Sequence, residues 1–169
     1  GTNILTLTNT LSTAVSGGSS GSFVNGPLQK RIDDADGFLF PVGKGSRYGH
    51  LSVTGTNTTG TQTWKVEYTT SFSDYLNPLT PLVAVSGSEH WQITGPAGGT
   101  CLVTGRWDAQ SEITPLTAGG AANLRMAEYN GADWANIGNG GTTGDNYNGT
   151  VISSSTVTPG ASGKYYTLG

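Results

Sequence analysis

The chain has 169 residues, of which 34% are hydrophobic and only 11% are charged, and its formal net charge at pH 7 is −3. The eight Lys and Arg residues are scattered, which excludes a phosphate-tracking nucleic-acid surface and a polybasic membrane anchor. No apolar run approaches the length of a membrane span. Four Trp, seven Tyr and four Phe residues supply enough core mass to predict one folded domain.

Short alternating runs of apolar and polar residues, separated by glycine-rich turns, extend from one end of the chain to the other. The clearest is Thr61–Thr70, in which Trp64, Val66 and Tyr68 fall on one face. Because successive side chains of a β-strand point to opposite faces of a sheet, a period of two indicates a half-buried strand. In chain order the predicted strands are Thr2–Leu11, Ser22–Ile32, Phe38–Val42, Tyr48–Thr54, Thr61–Thr70, Leu82–Val85, Glu89–Thr94, Thr100–Trp107, Leu124–Tyr129, Trp134–Ile137, Gly149–Val157 and Lys164–Leu168.

These runs predict an all-β fold, an antiparallel two-sheet β-sandwich of about ten strands, with a jelly-roll-like strand order as one option. Antiparallel pairing is favoured because the connections are too short for crossover helices. Asn130-Gly131 lies between two runs and predicts a hairpin, since both residues tolerate positive φ. The expected core comprises Phe40, Val53, Trp64, Val66, Tyr68, Trp91, Ile93, Val103, Leu124, Met126, Trp134, Ile137, Val151 and Leu168.

The predicted organisation has three parts: an N-terminal strand over residues 1–16, a Gly/Ser linker over residues 17–22 and the sandwich domain over residues 23–169. Leu5, Leu7 and Leu11 are the candidate strand-donation residues of this N-terminal segment. Such a strand could seal an edge of its own sandwich, or it could be donated to a neighbouring subunit and complete that sheet. A third interpretation makes it the remnant of a preceding repeat.

Aromatic residues in or beside loops are the candidates for carbohydrate binding, because an exposed ring can stack on a sugar ring. Tyr75 lies in a proline-bearing loop, Tyr147 lies in a loop of Gly, Asp and Asn, and Trp107 borders a polar loop. The alternative for Trp107 is core packing, which is also the interpretation of the other tryptophans.

Asp33, Asp34 and Asp36, followed by Gly37, resemble a fragment of a calcium loop, because hard cations take several oxygen ligands from one short segment. The closing Glu of the full loop is missing. The alternative is a solvated hairpin turn. Calcium is the single candidate cofactor, and no other is predicted.

The sequence does not predict an enzyme. His50 and His90 are the only histidines, Cys101 is the only cysteine, and no nucleophile-elbow pattern is present. One Cys and two distant His residues do not offer metal-ligand spacing, and a lone Cys forms no intrachain disulfide. Glu67 and Glu128 fall at outward strand positions, which is typical of solvated faces rather than of a glycosidase pair.

Five motifs occur in this order along the chain: FVNGPLQK (Phe23–Lys30), FLFPVGKGSRYGHLSV (Phe38–Val53), EHWQITG (Glu89–Gly95), LRMAEYNGADWANIGN (Leu124–Asn139) and YYTLG (Tyr165–Gly169). Together they resemble a β-sandwich module of large secreted and surface adhesin-like proteins of Bacteroidota, of the type IX secretion cargo type. The resemblance implies an extracellular, non-catalytic β-sandwich in an adhesin-type or polysaccharide-targeting protein, with no catalytic residues to carry over. The acidic DDADG segment departs from the simpler polar turn expected there.

The favoured function is therefore a non-catalytic structural or adhesive module, extracellular or at the cell surface, that self-assembles through its N-terminal strand, as in a filament. The alternative is a carbohydrate-binding module that targets a polysaccharide. The expected partners are further copies, neighbouring modules or a polysaccharide, with no nucleic acid and no membrane insertion.

Overall fold

The computed structural model describes residues 3–33, 36–72, 77–111, 113, 117 and 120–169. Within these residues the fold is all-β, which confirms the predicted class, and it contains fifteen strands. No helix in this part of the chain is long and apolar enough to cross a membrane. The strands are β1 (Leu5–Leu7), β2 (Val24–Asn25), β3 (Leu28–Asp33), β4 (Phe38–Phe40), β5 (Val42–Lys44), β6 (Arg47–Tyr48), β7 (Leu51–Thr54), β8 (Thr61–Thr69), β9 (His90–Thr94), β10 (Leu102–Trp107), β11 (Met126–Tyr129), β12 (Trp134–Gly138), β13 (Gly141–Gly144), β14 (Gly149–Ile152) and β15 (Lys164–Leu168).

The described strands outnumber the roughly ten expected in part because three predicted runs are divided, two of them at prolines and Tyr48–Thr54 between β6 and β7. Pro41 separates β4 from β5, and the Gly26-Pro27 pair separates β2 from β3, as expected of a residue that cannot donate to a strand ladder. β13 forms in a segment that was predicted as loop. Leu82–Val85, predicted as a strand, adopts none.

The strands form three sheets. The largest has the order β1-β3-β8-β9-β15-β11-β12, the second β13-β14-β10-β7-β4, and the smallest β2-β5-β6. Pairing is antiparallel except for β1 with β3 and β2 with β5, which are parallel. The expectation of uniformly antiparallel pairing is wrong for these two pairs. Their connections, residues 8–27 and 26–41, are long enough for the chain to return in the same direction.

The two larger sheets contribute to one hydrophobic core. Phe40, Val53 and Val103 of the five-stranded sheet and Trp64, Val66 and Trp91 of the seven-stranded sheet belong to the same buried cluster. At Gly105 in β10 a Cβ atom would lie 2.9 Å from Met126 Sδ and 3.2 Å from the Trp91 ring, so the two sheets approach closely there. The predicted core is confirmed except at Ile137, which is partly buried.

A second, smaller apolar cluster covers the other face of the seven-stranded sheet. Ala127 and Trp134 belong to it, whereas Met126, the neighbour of Ala127 in β11, belongs to the main core. This alternation follows directly from the two-residue period of a strand. The β11–β12 hairpin is confirmed, and its Asn130 side chain accepts hydrogen bonds from the backbone of Ala132 and Asp133.

Candidate functional site

The first candidate site is the N-terminal arm, defined here as residues 3–15, at one edge of the seven-stranded sheet. Within it, β1 pairs in parallel with β3 over three positions, Leu5 with Leu28, Thr6 with Gln29 and Leu7 with Lys30. β1 is the terminal strand of the sheet, and no strand of the described residues pairs with its outer edge. An edge strand of this kind presents unpaired backbone groups that can template a further strand.

Lys30 anchors the arm from inside the sheet. It alternates with Leu28 and Ile32 on the core-facing side of β3 and is 0% exposed. Its ammonium donates hydrogen bonds to the carbonyls of Asn9 and Arg31 and lies 5.1 Å from the centroid of the Phe38 ring. Burial lowers the pKa of Lys30, and the nearby acidic residues of this sheet edge oppose that shift. The arm therefore supplies the acceptor that a buried cation requires.

A second anchor lies at the end of β3. Asp33 accepts a hydrogen bond from the Thr61 hydroxyl. Hydrogen bonds from Thr61 and Thr10 hold the pKa of the Asp33 carboxyl below its usual value. Thr10 belongs to the arm. Two consecutive arm residues, Asn9 and Thr10, therefore contact Lys30 and Asp33 of β3.

The arm is nevertheless apolar on its exposed surface. Of the eight large apolar side chains that are exposed among the described residues, four lie in the arm: Ile4 at 45%, Leu5 at 51%, Leu11 at 61% and Val15 at 36%. Leu7 and Ala14 pack partly against the main core. This concentration of exposed apolar side chains in one short segment favours protein interaction there.

The predicted strand-donation residues thus occupy one structural unit. Leu5 and Leu11 are exposed, whereas Leu7 is partly buried. In this structure the N-terminal strand seals an edge of its own domain, which was one of the alternatives left open by the sequence.

The second candidate site is a cleft on the outer face of the seven-stranded sheet. It is lined by Tyr129, Asn130, Gly131, Gly163, Lys164 and Tyr165 and has a volume of about 290 Å³. Phe72 supports both tyrosines from beneath, with ring centroids 5.1 Å from Tyr129 and 4.7 Å from Tyr165. Lys164 is held in place because its Nζ donates to Glu128 Oε1 at 2.6 Å.

Sequence reasoning missed both tyrosines because each lies inside a predicted strand. The alternation of side chains along the strand is the sequence signal that predicts their orientation. Tyr166 and Leu168 are buried core residues, so Tyr165 between them must point to the opposite face. Tyr129 directly precedes the hairpin turn, at the solvent-exposed end of the sheet.

His90 lies under this aromatic cluster with no access to solvent. Its ring stacks on Phe72 with centroids 5.3 Å apart, and it is 0% exposed. Neither ring nitrogen has a hydrogen-bond partner in the described structure, and the same holds for Trp134 Nε1. Burial lowers the pKa of His90 to about 4. His90 is therefore neutral near pH 7, and its contribution to the cluster is to pack as an aromatic ring.

A buried polar network surrounds Glu89, the residue that precedes His90 in the chain. Glu89 is 2% exposed and pairs with the Arg47 guanidinium. Tyr68 Oη donates to Glu89 Oε2 at 2.6 Å, and Ser111 Oγ donates to Glu89 Oε1 at 2.7 Å. Arg47 also reaches Asp108 Oδ1 at 3.5 Å. Because both carboxylate oxygens are engaged within the fold, Glu89 acts as a brace between β6, β8 and the segment after β10.

Of the predicted carbohydrate-binding residues, the two that are described, Trp107 and Tyr147, do not share an exposed surface. Trp107 is fully buried, and its Nε1 donates to the carbonyl of Asp145 at 2.9 Å. The expectation that Trp107 offers a ring for stacking is wrong, because β10 turns it into the main core. Tyr147 is 70% exposed, in a turn where Asp145 Oδ1 accepts hydrogen bonds from Tyr147 N and Asn148 N. Tyr75 lies outside the described residues.

The candidate calcium ligands are only partly within the described residues. Asp33 and Asp36 are described, and Asp34 is not. Asp36 N donates to the Asp33 carbonyl at 3.1 Å, which closes a turn. The described part of the chain contains no group of three or more His, Cys, Asp or Glu side chains arranged to hold a metal ion. Calcium binding stays a prediction.

The chain matches no protein-family model, no curated protein and no solved structure. Function is therefore inferred from the arm, the cleft and the fold that positions them.

Proposed function

We propose that this protein is a non-catalytic extracellular structural or adhesive module of a cell-surface or secreted protein, and that it associates with copies of itself through the N-terminal arm. We further propose that its two larger sheets form a two-sheet sandwich. The shared core and the close approach at Gly105 support that architecture.

One observation carries the proposed association. The arm holds half of the exposed large apolar side chains of the described residues, and it occupies a sheet edge through only three paired positions. Natural proteins usually protect sheet edges with charge, Pro or a covering loop. An edge that is apolar instead favours contact with another molecule.

The composition and the motif resemblance support an extracellular location. Charged residues make up 11% of the chain, and Gly, Thr, Ser and Asn replace them. The only cysteine, Cys101, is fully buried, and burial raises the pKa of its thiol to about 12. The stability of the fold therefore does not depend on a disulfide. The Bacteroidota adhesin-like modules, which the five motifs resemble, share this expected location.

The association is tested by sedimentation velocity of the whole chain over a range of concentrations. The wild-type protein should form oligomers as concentration rises, and the double variant Leu5→Asn/Leu11→Asn should shift to monomer. Leu39→Asn is the matched control, because Leu39 is 44% exposed on β4, the edge strand of the other large sheet. A wild-type protein that stays monomeric, or equal loss of association in Leu39→Asn, contradicts the proposal.

Carbohydrate binding is the second candidate function, and the tyrosine-lined cleft favours it. Two partly exposed tyrosines and the side chain of Asn130 line a volume of about 290 Å³, and ligand sites typically combine aromatic side chains with a few polar groups. A glycan array followed by calorimetry tests it. Tyr165→Ala should abolish binding and the exposed control Tyr147→Ala should retain it; the reverse pattern would move the site elsewhere.

A further inference from the structure

We infer that the N-terminal arm is exchanged between copies, so that the arm of one molecule docks on β3 and Lys30 of a second copy. This inference rests on the proposed self-association and specifies the surface that accepts the arm. The occupant of that surface is the same segment, residues 3–10, supplied by another chain.

The acceptor surface is already built for a strand. It consists of the edge of β3 that β1 occupies in this structure, the inward ammonium of Lys30 and the carboxylate of Asp33. The arm meets it with Leu7 against the core, the Asn9 carbonyl on Lys30 and Thr10 near Asp33. None of these contacts depends on which chain supplies the arm. Exchange of an identical element therefore conserves all of them.

The chain that follows the arm provides a hinge. Residues 16–22 are exposed and consist only of Gly and Ser, and Ala14 N closes a turn onto the Leu11 carbonyl at 3.1 Å. Gly18 is fixed, because a Cβ there would lie 2.6 Å from Pro41 Cβ. The hinge therefore lies between Leu11 and Gly17, where only the partly buried Ala14 holds the chain to the body.

The intramolecular arrangement leaves the core-facing side of the arm incompletely covered. Leu5 pairs with Leu28 and lies on the same side as Leu7, yet it is 51% exposed. Because the hinge keeps the body of the donor close to its arm, we expect that body to cover this side in an exchanged pair. Exchange thus adds apolar contacts that the closed monomer lacks. Stacking of two closed arms against each other would leave the core-facing side of each arm incompletely covered.

The linker between the arm and the body determines how much affinity the new contacts must contribute. A short flexible linker holds the arm near its own β3 at an effective concentration in about the millimolar range. Exchange at about micromolar protein therefore requires the new contacts to contribute roughly a thousandfold in affinity. The four exposed apolar residues of the arm are the source of that contribution, and without them exchange should need millimolar protein.

A disulfide trap between two differently labelled chains tests the exchange. Thr6 and Gln29 are register partners on adjacent strands, and neighbouring strands lie about 4.8 Å apart, within the Cα separation that a disulfide spans. Chains carrying only Thr6→Cys and chains carrying only Gln29→Cys are mixed, refolded together, concentrated and mildly oxidised. Cys101 does not interfere because it is fully buried.

The expected result is a covalent Thr6→Cys to Gln29→Cys heterodimer, identified by peptide mass, in the oligomer fraction. Arg31→Cys replaces Gln29→Cys in the control mixture; Arg31 lies two residues further along the same face of β3, out of register, and should give little product. The cross-link forms in a dimer whose two copies exchange arms with each other, and also in an open series in which each copy donates its arm to the next. Either product supports exchange.

Two outcomes overturn the inference and are distinguishable. If oligomers form while the double variant Thr6→Cys/Gln29→Cys closes only intrachain disulfides and the mixed chains give no heterodimer, association occurs without exchange and the proposed function stands. If no oligomer forms at any concentration in the wild-type chain, the proposed function fails with it.

Discussion

Mild acid should destabilise this protein through its two histidines. Burial lowers the pKa of His90 to about 4, and burial together with the nearby Arg106 lowers the pKa of His50 to about 4. In the unfolded chain both titrate near their usual value of 6.5. Between these values the unfolded state binds more protons than the folded state, so stability is present above pH 6.5 and is lost as pH falls toward 4.

The magnitude follows from the two pKa values. Between pH 7.5 and pH 5, one histidine shifted this far contributes a loss of about 2 kcal/mol in the free energy of unfolding, and the pair about 4 kcal/mol. That is a large part of the 5–15 kcal/mol typical of a whole domain. The usual pKa values of Asp and Glu, about 3.9 and about 4.3, lie below this window, so we expect the histidines to dominate the change within it.

Urea unfolding at a series of pH values between 7.5 and 5 measures the effect, and His90→Phe is the informative variant. Phe preserves the ring that stacks on Phe72 and removes two buried nitrogens without partners in the described structure. The variant should be at least as stable as the wild type at pH 7.5 and should lose about half as much stability on acidification. An unchanged pH slope in His90→Phe, or an NMR titration that places either histidine near pH 6.5, would refute the reasoning.

Two further substitutions test the arm and the core. Lys30→Met keeps the apolar stem but removes the ammonium that holds Asn9, so amide hydrogen exchange in β1 should accelerate at least tenfold while the urea midpoint changes little; equal protection in both proteins contradicts the anchoring role. Gly49→Ala places a Cβ 2.2 Å from the buried Tyr68 ring, so it should cost about 1–3 kcal/mol in a urea titration. Gly21→Ala, which has open space, should stay within about 0.5 kcal/mol of wild type, and a tolerated Gly49→Ala would show that the ring can move.

The local pattern of the sequence predicts strands and core well, because a period of two is a local signal. Thr61–Thr70 becomes β8, and its Trp64, Val66 and Tyr68 are each 0% exposed. Pairing partners are set by contacts distant in sequence, so the parallel docking of β1 on β3 is not visible in either segment alone. The same holds for the division into three sheets.

The site residues were harder to predict because their surroundings come from other segments. The alternation of β3 places Lys30 on the core-facing side, a position that is acceptable only because the Asn9 carbonyl arrives from the arm. Trp107 borders a loop in sequence, but the β10 register carries it inward. The Tyr129–Tyr165 cleft is formed by two strands that are adjacent in the sheet and distant in the chain.

The order of the seven-stranded sheet allows the two proposed functions to operate together. The arm lies on β1, and the cleft lies on β15 and β11, four and five strands away, which corresponds to about 19–24 Å at the usual strand spacing. An arm docked from a second copy at the β1 edge therefore leaves the cleft open. Each added copy would bring a further cleft, and linked weak sites bind a repetitive polymer far more tightly than one site does. On this basis, glycan affinity that rises with oligomer size, and falls to the monomer value in Leu5→Asn/Leu11→Asn, would join the structural and the carbohydrate-binding roles in one protein.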